Sequence, residues 1–171
     1  NQNLEAPVSI ITMKTEEEEY IHQALKGHGI SGEDKIIVIA SGARSHIKRW
    51  QQDKFVRLIE SLIEELNSKI VLAGDKDDSA ISRYIVEQAR HPLLDLTGQT
   101  TLIELTYLLR KADLVITNDS AILHLGSYLN RPVVAIFGPT NELKYGPWSA
   151  KSAIAKKEIF CRPCEKAQCR Y

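Results

Sequence analysis

No run of about 18 apolar residues, the length a membrane-crossing helix needs, occurs in this 171-residue chain, so no transmembrane segment is expected. A basic stretch leading into an apolar core is missing too, which removes the pattern of a secretory signal. Neither sign of charge is in excess: 22 Lys and Arg face 22 Asp and Glu. No basic block is long enough to grip a phosphate backbone, and nucleic acid is not an expected partner. Cysteine is scarce, and all three residues (Cys161, Cys164, Cys169) fall in the last eleven positions. An odd cluster of this kind does not describe a disulfide framework. Its tight spacing resembles a metal knuckle, but a closed zinc site takes four ligands and three thiols are present. No metal and no cofactor is assigned. GxxxxGK[ST], HExxH and Gly-x-Ser-x-Gly are all absent, which disfavours P-loop NTPases, zinc proteases and α/β-hydrolases. Any chemistry must come from dispersed residues. The expected setting is soluble and cytoplasmic. With Asn1 at its start and Tyr171 just after the cysteines, the chain reads as an excised domain.

What is present is a regular alternation. A polar start leads to "TEEEEYIHQALKGHGI", where Tyr20, Ile21, Ala24 and Leu25 recur at helical spacing behind an acidic first turn, and Gly27 and Gly29 end the helix. Residues 1–35 read as an approach segment. Strands are expected at 35–40, 69–74, 93–98, 113–118 and 131–138. Helices are expected at 51–66, 77–90, 101–112 and 120–129. The first of these helices carries Phe55, Leu58, Ile59, Leu62, Ile63 and Leu66 on one stripe. Asp77 or Asp78 can cap the second, and Thr101 with Glu104 has capping-box spacing for the third. Strands that are apolar without alternation, each flanked by helices, mark a parallel sheet covered on both faces. The fold class is therefore α/β, a Rossmann-like parallel sheet flanked by helices, over 36–150. Beyond Gly138 the pattern turns loop-rich, and 151–171 reads as a cysteine-bearing tail.

Ligands of open parallel sheets bind beyond the carboxyl ends of the strands. The five segments found there, "SGARSHIKRW", "GDKDD", "TGQT", "NDSA" and "GPTN", are all small, polar or glycine-bearing, as close approach of phosphate or hydroxyl groups requires. Asn118-Asp119-Ser120 opens a helix whose first amides can hold an anion, although these residue types are also good N-caps. His124, one turn later, points back toward the crevice. Asp119 would repel a phosphate, so it is suited to accept from sugar hydroxyls or from a lysine that also touches the phosphate. Lys48 and Arg49 supply cations that could stabilise a departing diphosphate. Asp75 and Asp77 stand where a ribose could be read, or where they could cap a helix.

Together these segments resemble the glycosyltransferase family that contains the bacterial ADP-heptose:lipopolysaccharide heptosyltransferases, glycosyltransferase family 9. The resemblance rests on "SGARSHIKRW", "IVLAGDKDD", the long block from Leu93 to Asn141, "YGPW" and the Cys-x-x-Cys-x4-Cys tail, and covers roughly 36 to 169. It implies the carboxy-terminal half of a two-domain GT-B enzyme. Such a half binds the nucleotide-diphosphate sugar donor without metal, while an amino-terminal domain carries the catalytic base and a lipid-linked saccharide acceptor. The family's setting implies a cytoplasmic enzyme, peripheral at the inner membrane through its acceptor. By the same resemblance Lys48 contacts the donor's phosphates and sugar, and Asp119 contacts the sugar nucleotide. Ser120, Ala121 and His124 form the helix start, and Gly138, Pro139 and Thr140 the loop beyond. Ser41, Gly42, Arg49, Asp75, Asp77 and Asn118 complete the expected binding set. Ser41 replaces a usual Pro, and Ala121 stands where Gly is common, narrowing the room for a phosphate. A chain without the base would bind nucleotide weakly and transfer nothing. Two other readings share parts of this pattern. A sugar-nucleotide epimerase half would need a carboxylate and His placed for proton transfer. A phosphoacceptor signalling module would need an acidic pair after the first strand to hold Mg²⁺, and "IIVIASGA" has none.

Overall fold

The structure is a computed structural model describing residues 15–169. The polar opening stretch and the final two residues lie outside that range. Elements follow in the order α1 (Thr15–Gly27), β1 (Ile36–Ala40), α2 (Gln52–Leu66), β2 (Lys69–Leu72), α3 (Ser79–Gln88), β3 (Leu94–Asp95), α4 (Leu102–Lys111), β4 (Leu114–Asn118), α5 (Ala121–Tyr128), β5 (Val133–Phe137), α6 (Glu142–Tyr145) and β6 (Ser152–Lys156). Short 3-10 turns at His46–Lys48 and Lys76–Asp78 precede α2 and α3. All six strands pair in parallel, in the order β3-β2-β1-β4-β5-β6.

The strand residues split by parity into two cores, which is why the strands read as unbroken apolar runs. Ile36 and Val38 of β1, Val71 of β2, Val115 of β4, and Val133 with Ala135 of β5 pack under Ile21 and Leu25 of α1, Leu108 and Leu109 of α4, and Leu123 of α5. The opposite parity, Ile37, Ile39, Ile70, Leu72 and Ile116, packs against Phe55 and Ile59 of α2 and Ile85 of α3. Each buried aliphatic side chain in these layers contributes on the order of 1.5–3 kcal/mol. The helix carrying Tyr20 and Ile21 thus packs on one face of the sheet.

The expected elements are found with small shifts of boundary. β3 shrinks to two residues, and α3 begins after the 3-10 turn. Leu66, placed on the buried stripe of α2, is 43% exposed. It ends the helix just before Asn67, whose left-handed backbone (φ 50) turns the chain back into β2. The capping box is present: the Thr101 hydroxyl accepts from the Glu104 amide, and the Glu104 carboxylate accepts from the Thr101 amide at 2.6 Å. Thr101→Ala is expected to cost about 1 kcal/mol, read as a lower urea midpoint with unchanged slope.

Past Gly138 the loop expectation gives way to α6 and β6. β6 pairs with β5 from Val133↔Ser152 to Phe137↔Lys156. Its Ala153, Ile154 and Ala155 are exposed, so no buried face marks it in sequence, and its extended form comes from backbone pairing. Lys156 then donates to Glu142 of α6. That bond, helped by the nearby Arg162, holds the Glu142 carboxyl down at about 2.

Candidate functional site

Because the strands are parallel, the segments that follow them share one edge of the sheet. The order of the strands reverses direction between β1 and β4, the switch point where open α/β sheets form their crevice. Asn118, the last residue of β4 and fully buried, bridges that point. Its amide donates to the carbonyls of Ser41 (2.7 Å) and Gly42 (3.2 Å), and its Oδ1 accepts from the Trp50 amide at 3.0 Å. Both amide hydrogens are thus engaged, and the side chain positions the β1 loop at both ends.

One residue on, Asp119 is 6% exposed. Its Oδ2 accepts from the Thr140 hydroxyl at 2.7 Å and lies 2.8 Å from Lys48 Nζ. Both contacts fall on Oδ2, and among the described residues Oδ1 takes no hydrogen bond. Lys48 comes from the 3-10 turn after β1, Asp119 from the head of α5, and Thr140 from the loop after β5. Three segments distant in sequence therefore meet in one cluster. The lysine contact expected of Asp119 is present. Lys48 remains 29% exposed, with its ammonium 5.9 Å from the centre of the Tyr145 ring. Gly138 is needed for close approach: a Cβ there would sit 3.0 Å from the Ile47 carbonyl, beside the turn that carries Lys48.

The remaining expected residues divide. Ser41 and Gly42 are buried and serve through their carbonyls. Arg49 turns inward: its Nε donates to Ala43 O at 2.8 Å, and its guanidinium lies 3.5 Å from Asp78. Its charge is directed at the turn before α3. Asp75 caps the 3-10 turn by accepting from the Asp77 amide at 2.8 Å, and Asp77 is exposed. Ser120 shares a 3.0 Å hydrogen bond with Thr117, and Ala121 begins α5 exposed. His124 stacks on Trp148, with ring centres 5.3 Å apart. Among the described residues no hydrogen bond or ion pair joins it to Lys48 or Asp119, and its Nδ1 is buried without a protein partner. Pro139 accepts from the amides of Cys164 and Glu165, both at 3.0 Å.

Sequence reasoning missed Asp78 as a site residue, weighing it only as a cap. Its carboxylate lies against Gly42, where an added Cβ would come within 1.9–2.1 Å of it. Gly42 is small because that carboxylate occupies the space. Burial pushes the Asp78 carboxyl above its usual range, repulsion from Asp75 adds to this, and Arg49 opposes it. The folded protein therefore holds that proton more readily than the unfolded chain. Stability from this group is greatest below the ordinary value of 3.8 and declines as pH rises through the raised folded value. Asp78→Asn is expected to flatten that decline, measured as a smaller difference in urea midpoint between pH 4 and pH 7.

Tyr145, Trp148 and Arg162 were also missed as single residues, although "YGPW" was legible as a block. Glu60, Glu64 and His91 form a cluster of metal-capable groups on the α2–α3 side. Arg90 already bonds both carboxylates at 2.7 Å.

The family described as Glycosyltransferase family 9 (heptosyltransferase) matches residues 2–171. Lipooligosaccharide heptosyltransferase 2 of Haemophilus influenzae is 31% identical over 135 residues, covering 77% of this chain and 39% of that protein. The crystal structure of a family 9 glycosyl transferase from Veillonella parvula superposes with a TM-score of 0.80 at 28% identity, over 87% of this chain and 43% of that one. The E. coli ADP-heptose lps heptosyltransferase II superposes with a TM-score of 0.73 at 27% identity, over 85% and 44%. The chain thus spans less than half the length of these relatives, and the switch-point cluster lies inside the matched region. On this match, which runs nearly end to end, the chain belongs to glycosyltransferase family 9.

Proposed function

We propose that this chain is the donor-binding half of an inverting glycosyltransferase of lipopolysaccharide or cell-envelope polysaccharide synthesis, with ADP-heptose as the donor. The observation that carries the reading is the Lys48–Asp119–Thr140 cluster at the switch point, set at the head of α5. Lys48 and the first amides of α5 supply positive charge where a diphosphate would lie. Asp119 keeps one oxygen anchored on Thr140 and Lys48 and offers the other to a sugar hydroxyl. The name of the E. coli relative supports ADP-heptose in particular.

In the transfer step, an acceptor oxygen displaces the diphosphate from the sugar carbon, and negative charge builds on the departing oxygen. Lys48 stabilises that charge more strongly as the bond breaks, which lowers the barrier. Trp148 and His124 form a stacked wall on the α5 side. We assign the base and the lipid-linked saccharide acceptor to a further domain, through which the enzyme reaches the inner membrane from the cytoplasm. Among the described residues no helix is long and apolar enough to cross a membrane. An epimerase half is less well supported, because His124 stacks on Trp148 and, among the described residues, no ion pair joins it to a carboxylate.

Isothermal titration of the chain with ADP, UDP and GDP tests the reading. ADP is expected to bind tightest, and absence of binding by all three would contradict it.

A further inference from the structure

The segment Cys161-Arg162-Pro163-Cys164 is fastened to the loop that carries Thr140. The Arg162 side chain is 6% exposed. Its Nε donates to Gly138 O, and its terminal nitrogen donates to Thr140 O (3.2 Å) and to the Glu142 carboxylate (2.9 Å). The Cys164 and Glu165 amides close on Pro139 O. Backbone carbonyls at 138, 139 and 140 are thus all held by residues 162–165, and Thr140 passes the constraint to Asp119 and Lys48 through its 2.7 Å hydrogen bond. Cys161 and Cys164 flank the arginine, both half-buried and not joined in a disulfide. Both border a cavity of about 220 Å³ that also reaches Ile47, next to Lys48, and is flanked by Lys157 and Lys166. The donor-binding reading uses neither thiol.

We propose that Cys161 and Cys164 form a redox-sensitive thiol pair whose closure to a disulfide releases the Arg162 latch and loosens the Gly138–Glu142 loop. The oxidant is a small anionic disulfide such as glutathione disulfide, drawn in by Lys157 and Lys166. One cysteine thiolate attacks a sulfur of that disulfide, forming a mixed disulfide and releasing one small thiol. The second cysteine thiolate attacks the protein sulfur of the mixed disulfide, forming the Cys161–Cys164 bond and releasing the other thiol. Two electrons and two protons pass from the protein to the small disulfide. The closed bond requires the two sulfurs to stand about 2 Å apart with a fixed dihedral. That requirement redirects the backbone on both sides of Arg162, whose side chain has no slack while it holds three acceptors.

The proposal rests on the donor-binding reading only for its consequence, so its test includes readouts independent of nucleotide. The full chain is equilibrated in glutathione buffers from reducing to oxidising, alkylated, and examined by peptide mass and by amide hydrogen exchange. The expected result is joint protection of Cys161 and Cys164 as one linked peptide, with exchange of amides in 140–145 at least tenfold faster. Dithiothreitol reverses both changes, and Cys161→Ser/Cys164→Ser abolishes both. If ADP binds, its affinity falls in parallel. The proposal is overturned by pairing through Cys169, by glutathione adducts alone, by closure without faster exchange, or by protection that tracks added Zn²⁺ and disappears with a chelator.

Discussion

Lys48→Ala weakens ADP binding by about 10- to 100-fold. The estimate follows from the worth of a hydrogen bond to a charged group, about 1.5–3 kcal/mol, and from 1.4 kcal/mol per tenfold in affinity. The turn that presents Lys48 is held by the Lys48 amide on Ser45 O at 3.0 Å and by close packing of Ile47 on Gly138, so the truncation leaves the loop in place. Asp119 then loses its cation but keeps the Thr140 hydroxyl. Leaving a buried carboxylate without its cation carries its own cost, and the single variant is expected to melt lower than the parent. Asp119→Asn separates the two effects. It relieves the unpaired charge, so the double variant Lys48→Ala/Asp119→Asn regains stability without regaining affinity. Asp119→Asn alone keeps ADP affinity within about threefold and loses the extra affinity that the sugar of ADP-heptose confers. Titration calorimetry of the four proteins with both ligands distinguishes these outcomes. Equal affinities throughout would remove Lys48 and Asp119 from the site.

Asn118→Ala lowers stability by about 3–5 kcal/mol, the largest effect expected of any single substitution outside the two cores. Three backbone groups depend on this side chain: the buried carbonyls of Ser41 and Gly42 and the half-buried amide of Trp50. Each buried group left unpaired costs about 1–3 kcal/mol. At about 2–4 °C per kcal/mol for a protein of this size, the melting temperature falls by about 10 °C. Asn118→Asp is no rescue at neutral pH, since a carboxylate retains an acceptor for Trp50 but faces two carbonyl oxygens. Differential scanning calorimetry measures both, and a loss under about 1 kcal/mol for Asn118→Ala would show that the bridge is not needed.

The same residue shows how far sequence carried the site and where it stopped. Asn118 was legible as a polar break at the end of a buried strand, but anion-binding and capping uses cannot be told apart from residue type. Its actual work, bridging β4 to the β1 loop, depends on β1 and β4 being neighbours, which is a property of strand order. β1, β2, β4 and β5 were legible because burial on both faces forces uniform apolar runs. β6 was not, because an edge strand with exposed Ala153 and Ala155 carries no such signature. Asp78 was overlooked because Asp75 and Asp77 stand beside it, and only the fold places its carboxylate on Gly42. Arg162 could not be anticipated, since its partners, two backbone oxygens and one carboxylate, lie twenty or more residues away. His124 sits one turn into α5 as its spacing suggested, yet its neighbour is Trp148 and the buried ring face is spent on stacking.

A crystal structure of the chain with ADP is the most direct measurement of the account. The predicted result is a diphosphate lying between Lys48 Nζ and the first amides of α5, at the switch point between β1 and β4, with the Thr140–Asp119 hydrogen bond retained. ADP bound at the opposite end of the strands, or in the cysteine-lined cavity with Lys48 still closed on Asp119 and no phosphate near α5, would contradict it.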